Sequence, residues 1–120
     1  MFINCTNHSV KLWNEKQLNA AKEYGDIVEI PFPNVPPGLS VDEVKNIAHK
    51  VADEIMGYSP TVVLCQGEFT VTYAIVSELK KNNIKVVAAC SDRKATERIK
   101  EDGTIEKSSI FEFVQFREYM

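Results

Sequence analysis

Apolar runs of the length that a membrane crossing requires are missing from this sequence. A spanning helix needs roughly 20 consecutive apolar residues, and no run approaches that length. The segment Met1–His8 lacks a basic stretch followed by an apolar one, so we expect no export signal. Cysteine is scarce, and its three widely spaced residues are typical of reduced thiols rather than of a disulfide framework. These absences predict a cytoplasmic protein that does not enter membranes.

An excess of positive charge is also lacking. The chain has 14 basic and 17 acidic residues, and its formal net charge is -3. Binding to long nucleic acid needs a cationic surface, so that function is disfavoured. A small nucleotide stays compatible with this charge, because a few local donors suffice to bind it. With 120 residues, of which 44% are hydrophobic, we expect residues 1–120 to form a single globular domain.

Hydrophobic patterning predicts four strands that alternate with helices. The predicted strands are Phe2–Cys5, Ile27–Phe32, Thr61–Cys65 and Lys85–Cys90. The third and fourth are almost entirely apolar, which is typical of parallel strands buried on both faces. Pro31 cannot donate a hydrogen bond to a neighbouring strand, so the second strand is expected at a sheet edge.

Capping signals predict where the helices begin. Asn14 with Gln17, and Ser40 with Glu43, have the spacing of capping boxes at the start of two helices. A third helix is expected to follow Gln66-Gly67-Glu68 and to end near Asn82.

The order of elements predicts the fold. Successive strand–helix units force parallel pairing, and right-handed crossovers place helices on both faces. We therefore predict an α/β Rossmann-like three-layer sandwich with strand order 2-1-3-4 and a C-terminal antiparallel hairpin. Asp102-Gly103 suits the hairpin turn, and Ile110–Tyr119 forms its last strand. The segment Ala95–Glu101 is compatible with either a strand or a helix.

Polar residues follow three of the predicted strands at the point where each strand ends. These segments are Thr6-Asn7-His8, Gln66-Gly67-Glu68 and Ser91-Asp92-Arg93. Ligands of open parallel sheets bind outside the carboxyl ends, where the strand order reverses. The sequence therefore predicts a ligand site formed by Thr6, Asn7, Gln66, Gly67, Glu68, Thr70, Ser91 and Asp92. The competing interpretation is that these are ordinary polar loops.

Two residues of this set are predicted to carry chemistry. His8 is a candidate general acid or base, or else holds its loop by a backbone hydrogen bond. Arg93 is a candidate bidentate clamp for a phosphate, or else pairs with Asp92 or Glu97 on the surface.

Gly67 and Glu68 stand where the third helix begins. Gly67 allows either a close approach of a ligand to the backbone or simply a tight turn. Glu68 would repel an anion there, so it is expected to accept a hydrogen bond from a ribose hydroxyl or to cap the helix. Thr6 and Ser91 are expected to donate to the ligand or to cap locally.

Two further groups of residues leave alternatives open. Cys5, Cys65, Cys90 and His8 have the ligand types of a tetrahedral zinc site, but no close-spaced cysteine pair supports one, and we predict no metal and no cofactor. Arg117 on the last strand is predicted to turn towards the site or towards a second subunit, which would cover the aromatic strand.

Four short motifs carry a resemblance. They are Thr6-Asn7-His8, Cys65-Gln66-Gly67-Glu68-Phe69-Thr70, Ser91-Asp92-Arg93 and Phe116-Arg117-Glu118-Tyr119. Over nearly the full length, the chain resembles a family of short, mostly uncharacterised bacterial proteins, which is similar in layout to CRISPR-associated Rossmann-like (CARF) domains and the small ring nucleases. The resemblance implies a homodimer that binds a cyclic oligonucleotide, with metal-independent cleavage as its chemistry. No ring-nuclease catalytic motif matches residue by residue, so no catalytic residue is carried over.

The leading hypothesis is a nucleotide-ligand domain that acts as a sensor or as a metal-independent nuclease. A small-molecule enzyme that uses Glu68 or His8 as its base is the first alternative, so the sequence leaves open whether the protein is an enzyme. A non-catalytic interaction module that works through the strand Phe111–Tyr119 is the second.

Overall fold

The computed structural model describes residues 1–120 and contains five strands and three α-helices. The strands are β1 (Phe2–Thr6), β2 (Ile27–Glu29), β3 (Val62–Gln66), β4 (Lys85–Ile99) and β5 (Ile105–Glu118). The helices are α1 (Glu15–Lys22), α2 (Val41–Met56) and α3 (Phe69–Lys81), and a short 3-10 helix spans Val10–Leu12.

All five strands form one sheet in the order β2-β1-β3-β4-β5. The first four strands are parallel, and β5 pairs antiparallel with β4. The structure thus confirms the predicted α/β class with a mostly parallel sheet and a C-terminal hairpin. The fifth strand extends the predicted order at its β4 end.

The core has two layers, one on each face of the sheet. Ile3, Cys5, Val63 and Val86 contribute to the larger layer, together with buried residues of α2 and α3. Phe2, Val62, Leu64 and Val87 contribute to the smaller layer with Ala21 of α1. Each central strand therefore buries residues on both faces, which explains why β3 is almost entirely apolar.

The two predicted capping boxes have different outcomes. Ser40 Oγ accepts from Glu43 N, and the Glu43 carboxylate accepts from Ser40 N, so the box of α2 is complete. At α1, Asn14 Oδ1 accepts from Gln17 N at 2.9 Å, but the Gln17 side chain does not return the bond. The prediction for α1 was therefore only half right, and the Gln17 carboxamide is left for other contacts.

The edge strand β2 is shorter than predicted. It ends at Glu29 rather than at Phe32, because Pro31 has no amide hydrogen for pairing. Hydrogen bonds to β1 nevertheless continue at alternate residues, since Ile30 N donates to Asn4 O and Phe32 N donates to Thr6 O. Phe32 is consequently held beside the end of β1.

The strand β4 is longer than predicted. It continues past Cys90 to Ile99, so the ambiguous segment that begins at Ala95 is a strand up to Ile99, and β5 already begins at Ile105. Beyond Cys90 the hairpin leaves the body of the protein. We call its paired segments Ser91–Ile99 and Ile105–Phe113 the arm. The turn between them contains Asp102-Gly103, as predicted.

A β-bulge marks the base of the arm. Cys90 pairs with Gln115 and Ser91 pairs with Phe113, which leaves Val114 unpaired. The period-two alternation of the last strand is therefore interrupted here. The extra residue rotates Phe113 to the same face as Phe116, and the two ring centroids lie 4.8 Å apart.

Candidates for a membrane-crossing helix are not found. No helix of the protein combines the length and the apolar character that such a crossing requires.

A histidine between two carboxylates connects α2 to α3. Nδ1 of His49 contacts the Glu78 carboxylate, and its Nε2 lies 3.2 Å from Asp53 Oδ2. The hydrogen bond to Glu78, followed by the charge of Asp53, raises the pKa of His49 above its ordinary value. Protonation of His49 therefore stabilises the folded state.

This stabilisation should depend on pH. Because the pKa is higher in the folded chain than in the unfolded one, the contribution is complete below about pH 6 and is lost as the pH rises through the folded value. We expect the urea midpoint of the wild type to exceed that of His49→Gln by more at about pH 5.5 than at about pH 8.5. An equal difference at both pH values would show that the charge of His49 does not contribute.

Candidate functional site

A cavity of about 580 Å³ lies beyond the carboxyl ends of β1 and β3, beside α1 and the base of the arm. It is the place where the strand order reverses, as the sequence predicts. None of its lining side chains belongs to Lys, Arg, Asp or Glu. The lining residues are Thr6, Asn7, His8, Leu12, Trp13, Asn14, Gln17, Leu64, Gln66, Gly67, Ala89, Ser91, Phe111 and Phe113.

The loop after β1 is fixed by a buried asparagine. Asn4, which is 2% exposed, donates from Nδ2 to His8 O at 3.0 Å. The Thr6 hydroxyl lies 2.9 Å from Asn4 Oδ1 and accepts from His8 N at 3.1 Å. Thr6 is therefore engaged in the local cap that the sequence offered as an alternative. Asn4 was missed because a polar residue inside a short strand gives no indication of its partner.

Glu29 at the end of β2 anchors the same loop from outside. Its carboxylate accepts from Val10 N, from Asn4 Nδ2 at 3.3 Å and from the Ser9 hydroxyl at 3.5 Å. The Val10 amide is the main reason why the pKa of Glu29 lies below its ordinary value. Two strands thus hold the segment that presents Asn7 and His8.

Gln66 is bound to the backbone of β4. Its Oε1 accepts from Ala89 N at 2.8 Å, and its Nε2 donates to Ala89 O at 3.5 Å. The backbone pairing of β3 with β4 ends earlier, at Leu64 and Val87. The side chain of Gln66 therefore takes the place of a strand at the point where β4 separates from β3.

Four polar side chains of the cavity have no hydrogen-bond partner within the protein. Asn7, His8, Gln17 and Ser91 line the cavity, and none of their side chains makes a hydrogen bond within the protein. They offer amide, imidazole and hydroxyl groups to a ligand. Three of them were predicted from the sequence. Gln17 was interpreted only as part of a helix cap.

An aromatic wall completes the cavity. Trp13, Phe111 and Phe113 line it, and Phe113 and Trp13 both pack on Phe116, with centroids 4.8 Å and 6.4 Å away. Phe2 supports the group from β1 at 5.2 Å from Phe116. Aromatic rings so held present flat surfaces on which a planar ligand can stack. The sequence indicated an aromatic last strand but gave no sign that its rings meet Trp13.

Two predicted site residues at the start of α3, Glu68 and Thr70, lie outside the cavity. The Glu68 carboxylate accepts from Thr70 N at 2.9 Å and Val71 N at 3.0 Å, and the Thr70 hydroxyl donates to it as well. These bonds, of which that from the Thr70 hydroxyl is strongest, lower the pKa of Glu68. The amides at the N-terminus of α3 are thus occupied by the protein itself, as in the capping alternative for Glu68.

Three further predicted residues also do not line the cavity. Arg93 lies on β4 two residues beyond Ser91, so its side chain points to the same face of the arm. It pairs with Phe111 of β5. Asp92 lies between Ser91 and Arg93 and therefore points to the opposite face. Arg117 pairs with Ala88 and points away from the face of its neighbour Phe116.

The C-terminal motif has a structural contact at Tyr119. Its hydroxyl donates to Cys65 O at 2.8 Å, and Lys80 Nζ donates to Tyr119 O at 2.9 Å. Burial raises the pKa of Tyr119. The motif thus ties the end of the chain to β3 and α3, on the opposite side of the sheet from the cavity.

The three cysteines do not form a metal site. All are free, and Cys5 and Cys65 are buried side by side in neighbouring strands. The contact with the Cys5 thiol, followed by burial, raises the pKa of Cys65. His49, Asp53 and Glu78 are the only three such groups close enough to share an ion, but both ring nitrogens of His49 already contact carboxylates.

A larger cavity of about 1010 Å³ lies between α2 and α3, away from the strand ends. Exposed apolar side chains line it, among them Val41, Phe69 and Tyr73. Of the predicted site residues it contains only Thr70. The smaller cavity is therefore the candidate site, because it unites strand ends, uncommitted polar groups and aromatic rings.

Gly67 lines the candidate site for a reason that the sequence did not reveal. A Cβ atom at this position would stand 2.5 Å from the ring of Phe32, which is closer than real contacts allow. Gly67 is thus required by the packing of a residue 35 positions earlier in the sequence. Its backbone does not have the positive φ that a strained turn would need.

Substitution of Gly67 should accordingly destabilise the fold. We expect Gly67→Ala to lower the free energy of unfolding by about 1–3 kcal/mol through overpacking. Gly38→Ala is the matched control, because nothing lies within 4 Å of its Cβ position, and we expect a change within about 0.5 kcal/mol.

A double-mutant cycle tests whether the Phe32 ring causes the destabilisation by Gly67→Ala. In a Phe32→Val background, Gly67→Ala should cost less than in the wild type, as urea unfolding of the four proteins would show. An equal cost in both backgrounds would contradict the assignment.

Comparison with known proteins places the chain in a family. No match to the chain was found among curated proteins or among solved structures. The sequence model of the uncharacterized protein MJ1673 family matches residues 1–117. Because this match covers nearly the whole chain, the protein belongs to the uncharacterized protein MJ1673 family.

Proposed function

We propose that the cavity beyond β1 and β3 binds a small nucleotide ligand. The observation that carries the proposal is the combination of an aromatic wall with polar side chains that have no partner in the protein. Trp13, Phe111 and Phe113 form the wall, and Asn7 and Gln17 provide amides beside it. Proteins bind nucleobases by stacking on aromatic rings and by hydrogen bonds to base edges.

The uncharged lining favours the base and sugar as the parts held inside the cavity. A phosphate needs a cation or free amides, and Glu68 already occupies those at the start of α3. Arg93 lies just beyond Ser91 on the same face of the arm and has no ion-pair partner. We therefore place the ligand's phosphate towards Arg93 at the rim.

The resemblance to CARF domains and ring nucleases extends the candidate ligands to cyclic oligonucleotides. A cyclic ligand presents its phosphates in a ring with its bases outward, which fits a cavity that holds a base and a rim that holds a phosphate. The three free cysteines fit a cytoplasmic location, where such ligands are made and thiols stay reduced.

A ligand screen by thermal shift tests the proposal. The probes are mononucleotides, cyclic dinucleotides and cyclic oligoadenylates, each in EDTA. A ligand at 100 times its Kd should add about 2.7 kcal/mol to the free energy of unfolding. If no nucleotide shifts the transition, the proposal is wrong, and a small-molecule enzyme becomes the better hypothesis.

Matched variants then locate the bound nucleotide. We expect Phe111→Ser to raise the Kd about 5- to 150-fold through loss of stacking, and Asn7→Ala to raise it about 2- to 10-fold. Phe69→Ser and Asn46→Ala carry the same substitutions at exposed residues of the larger cavity and should leave the Kd unchanged. Calorimetric titration measures all four, and an effect of the α2–α3 pair alone would contradict the assignment.

The nuclease form of the hypothesis depends on His8. Its imidazole lines the cavity, is exposed and makes no side-chain hydrogen bond, so either ring nitrogen is free to exchange a proton at a bound phosphodiester. In this reaction a ribose 2′-hydroxyl would attack the adjacent phosphorus, the ester bond to the leaving oxygen would break, and His8 would move the proton. Arg93 would stabilise the charge on the phosphate oxygens.

Product analysis separates a nuclease from a sensor. With a bound cyclic oligoadenylate in EDTA, we expect linear product from the wild type and a rate about 10²-fold or more lower for His8→Ala. The control Asn46→Ala should retain the wild-type rate. Intact ligand after long incubation, with binding preserved, would show that the site binds without cleaving.

A further inference from the structure

The arm is an uncovered sheet. Every residue from Ser91 to Glu112 is exposed, and the protein extends 56 Å along its longest axis. Its radius of gyration is 17.1 Å, whereas a compact chain of this length has about 14 Å. Two-stranded hairpins are marginally stable in water unless something packs on them. An arm with no covering surface in its own chain is therefore expected to pack on another one.

The two faces of the arm differ in character. On the outer face, Lys94 pairs with Glu112 and Arg98 with Glu106, while Thr96 and Ser108 share a hydrogen bond. Apart from Asp92, the charged residues of that face pair with one another, and Ile110 is its one large apolar residue. The opposite face, which we call the cavity face, consists of alternate residues from Ser91 to Ile99 and from Ile105 to Phe113. It continues directly into the cavity.

The cavity face is apolar at both ends. Ile99 pairs with Ile105 at the tip, and Phe111 and Phe113 stand at the base. Ile99 is 78% exposed and Phe111 is 67% exposed, so both are uncovered, whereas Phe113 is buried within its own chain. The middle of the face is formed by the small pair Ala95 and Ser109.

We propose that two copies of this protein pack their cavity faces together across a two-fold axis at Ala95 and Ser109. The tip pair lies four residues from this axis, or about 14 Å, and the Ser91–Phe113 pair lies the same distance on the other side. A two-fold axis across the strands therefore places each tip over the base of the other arm. The small residues on the axis let the sheets approach to the usual separation of about 10 Å.

The charges on the cavity face match this arrangement. The axis brings Glu97 opposite the partner's Arg93, and Lys107 opposite the ring of the partner's Phe111. It also brings Ile105 to the base of the partner's arm, beside the exposed ring of the partner's Phe111. Arg93 has no ion pair within its own chain, and Glu97 contacts only Lys107, at 3.9 Å. In the protein without a nucleotide, the interface thus pairs Arg93 with a weakly held carboxylate, and a bound phosphate would compete with Glu97 for Arg93.

This self-complementarity indicates a second copy rather than a different partner. An isologous interface requires that residues equally distant from the axis on its two sides complement each other, because residue i of one copy meets residue j of the other and j meets i. Here the pairs two residues from the axis complement each other, since Glu97 matches Arg93 and Lys107 matches the ring of Phe111. The partner's tip would also close the open side of the cavity beside Phe111.

Charge reversal tests the arrangement without any ligand, so its outcome is independent of the proposed function. Sedimentation is measured for Arg93→Glu and for Glu97→Arg, each alone and as a mixture. Each variant alone places like charges opposite each other twice, and we expect its dimer Kd to rise about tenfold or more. The mixture should dimerise with wild-type affinity, because in a dimer of one Arg93→Glu chain and one Glu97→Arg chain both contacts join opposite charges, one of them reversed and the other the native Glu97–Arg93 pair.

Further variants keep the test decisive. Residues 93 and 97 of one chain are about 14 Å apart and cannot pair within it, so rescue by mixing reports a contact between copies. Ile105→Asp should weaken the dimer, whereas Arg98→Glu on the outer face should not. Circular dichroism confirms that each variant is folded. A monomeric wild type, a dimer that Glu97→Arg leaves intact, or a mixture without rescue would overturn the proposal.

Discussion

The architecture depends on the separation of β4 from β3, and the side chain of Gln66 fixes where it occurs. Its carboxamide binds both backbone groups of Ala89, two residues beyond the last pairing of the two strands. An unpaired backbone at this half-buried position would be costly, so the side chain lets the backbone pairing stop without loss of its hydrogen bonds. From that point β4 follows β5 instead of β3, and a space opens between the strand ends. The cavity and the arm both result from this divergence.

The polar residues around the cavity consequently fall into two groups. The side chains of Asn4, Thr6 and Gln66 make hydrogen bonds that hold loops and strands in place. Asn7 and His8 lie on the loop after β1, and their side chains line the cavity without such bonds. The first group pre-organises the second, since a loop anchored on two strands loses little freedom when it binds a ligand. The aromatic wall likewise has a part that is fixed by packing and a part that is presented to the cavity. Trp13 and Phe113 pack on Phe116 and border the cavity, whereas Phe111 borders the cavity and stays exposed.

The sequence predicted the parts of this design that depend on periodicity and failed where side chains cross between elements. Alternation of apolar runs and helix signals was enough to predict parallel strands whose ends meet, and thereby the location of Asn7, His8 and Ser91. The contact of Gly67 with Phe32 joins distant positions and leaves no local pattern. The bulge at Val114 is a single extra residue, which alternation cannot detect. The position of Trp13 and Gln17 at the cavity likewise follows from how α1 packs on the sheet.

Chemical-shift mapping by NMR tests the central claim, that ligands bind beyond the ends of β1 and β3, most directly. Amide spectra of the labelled protein are recorded during titration with the nucleotide that binds most tightly. The largest shifts should fall on Asn7, His8, Gln17 and Ser91, and on the indole of Trp13. Shifts concentrated on Val41, Phe69 and Tyr73 between α2 and α3 would contradict the claim and move the binding site to the other face of the sheet.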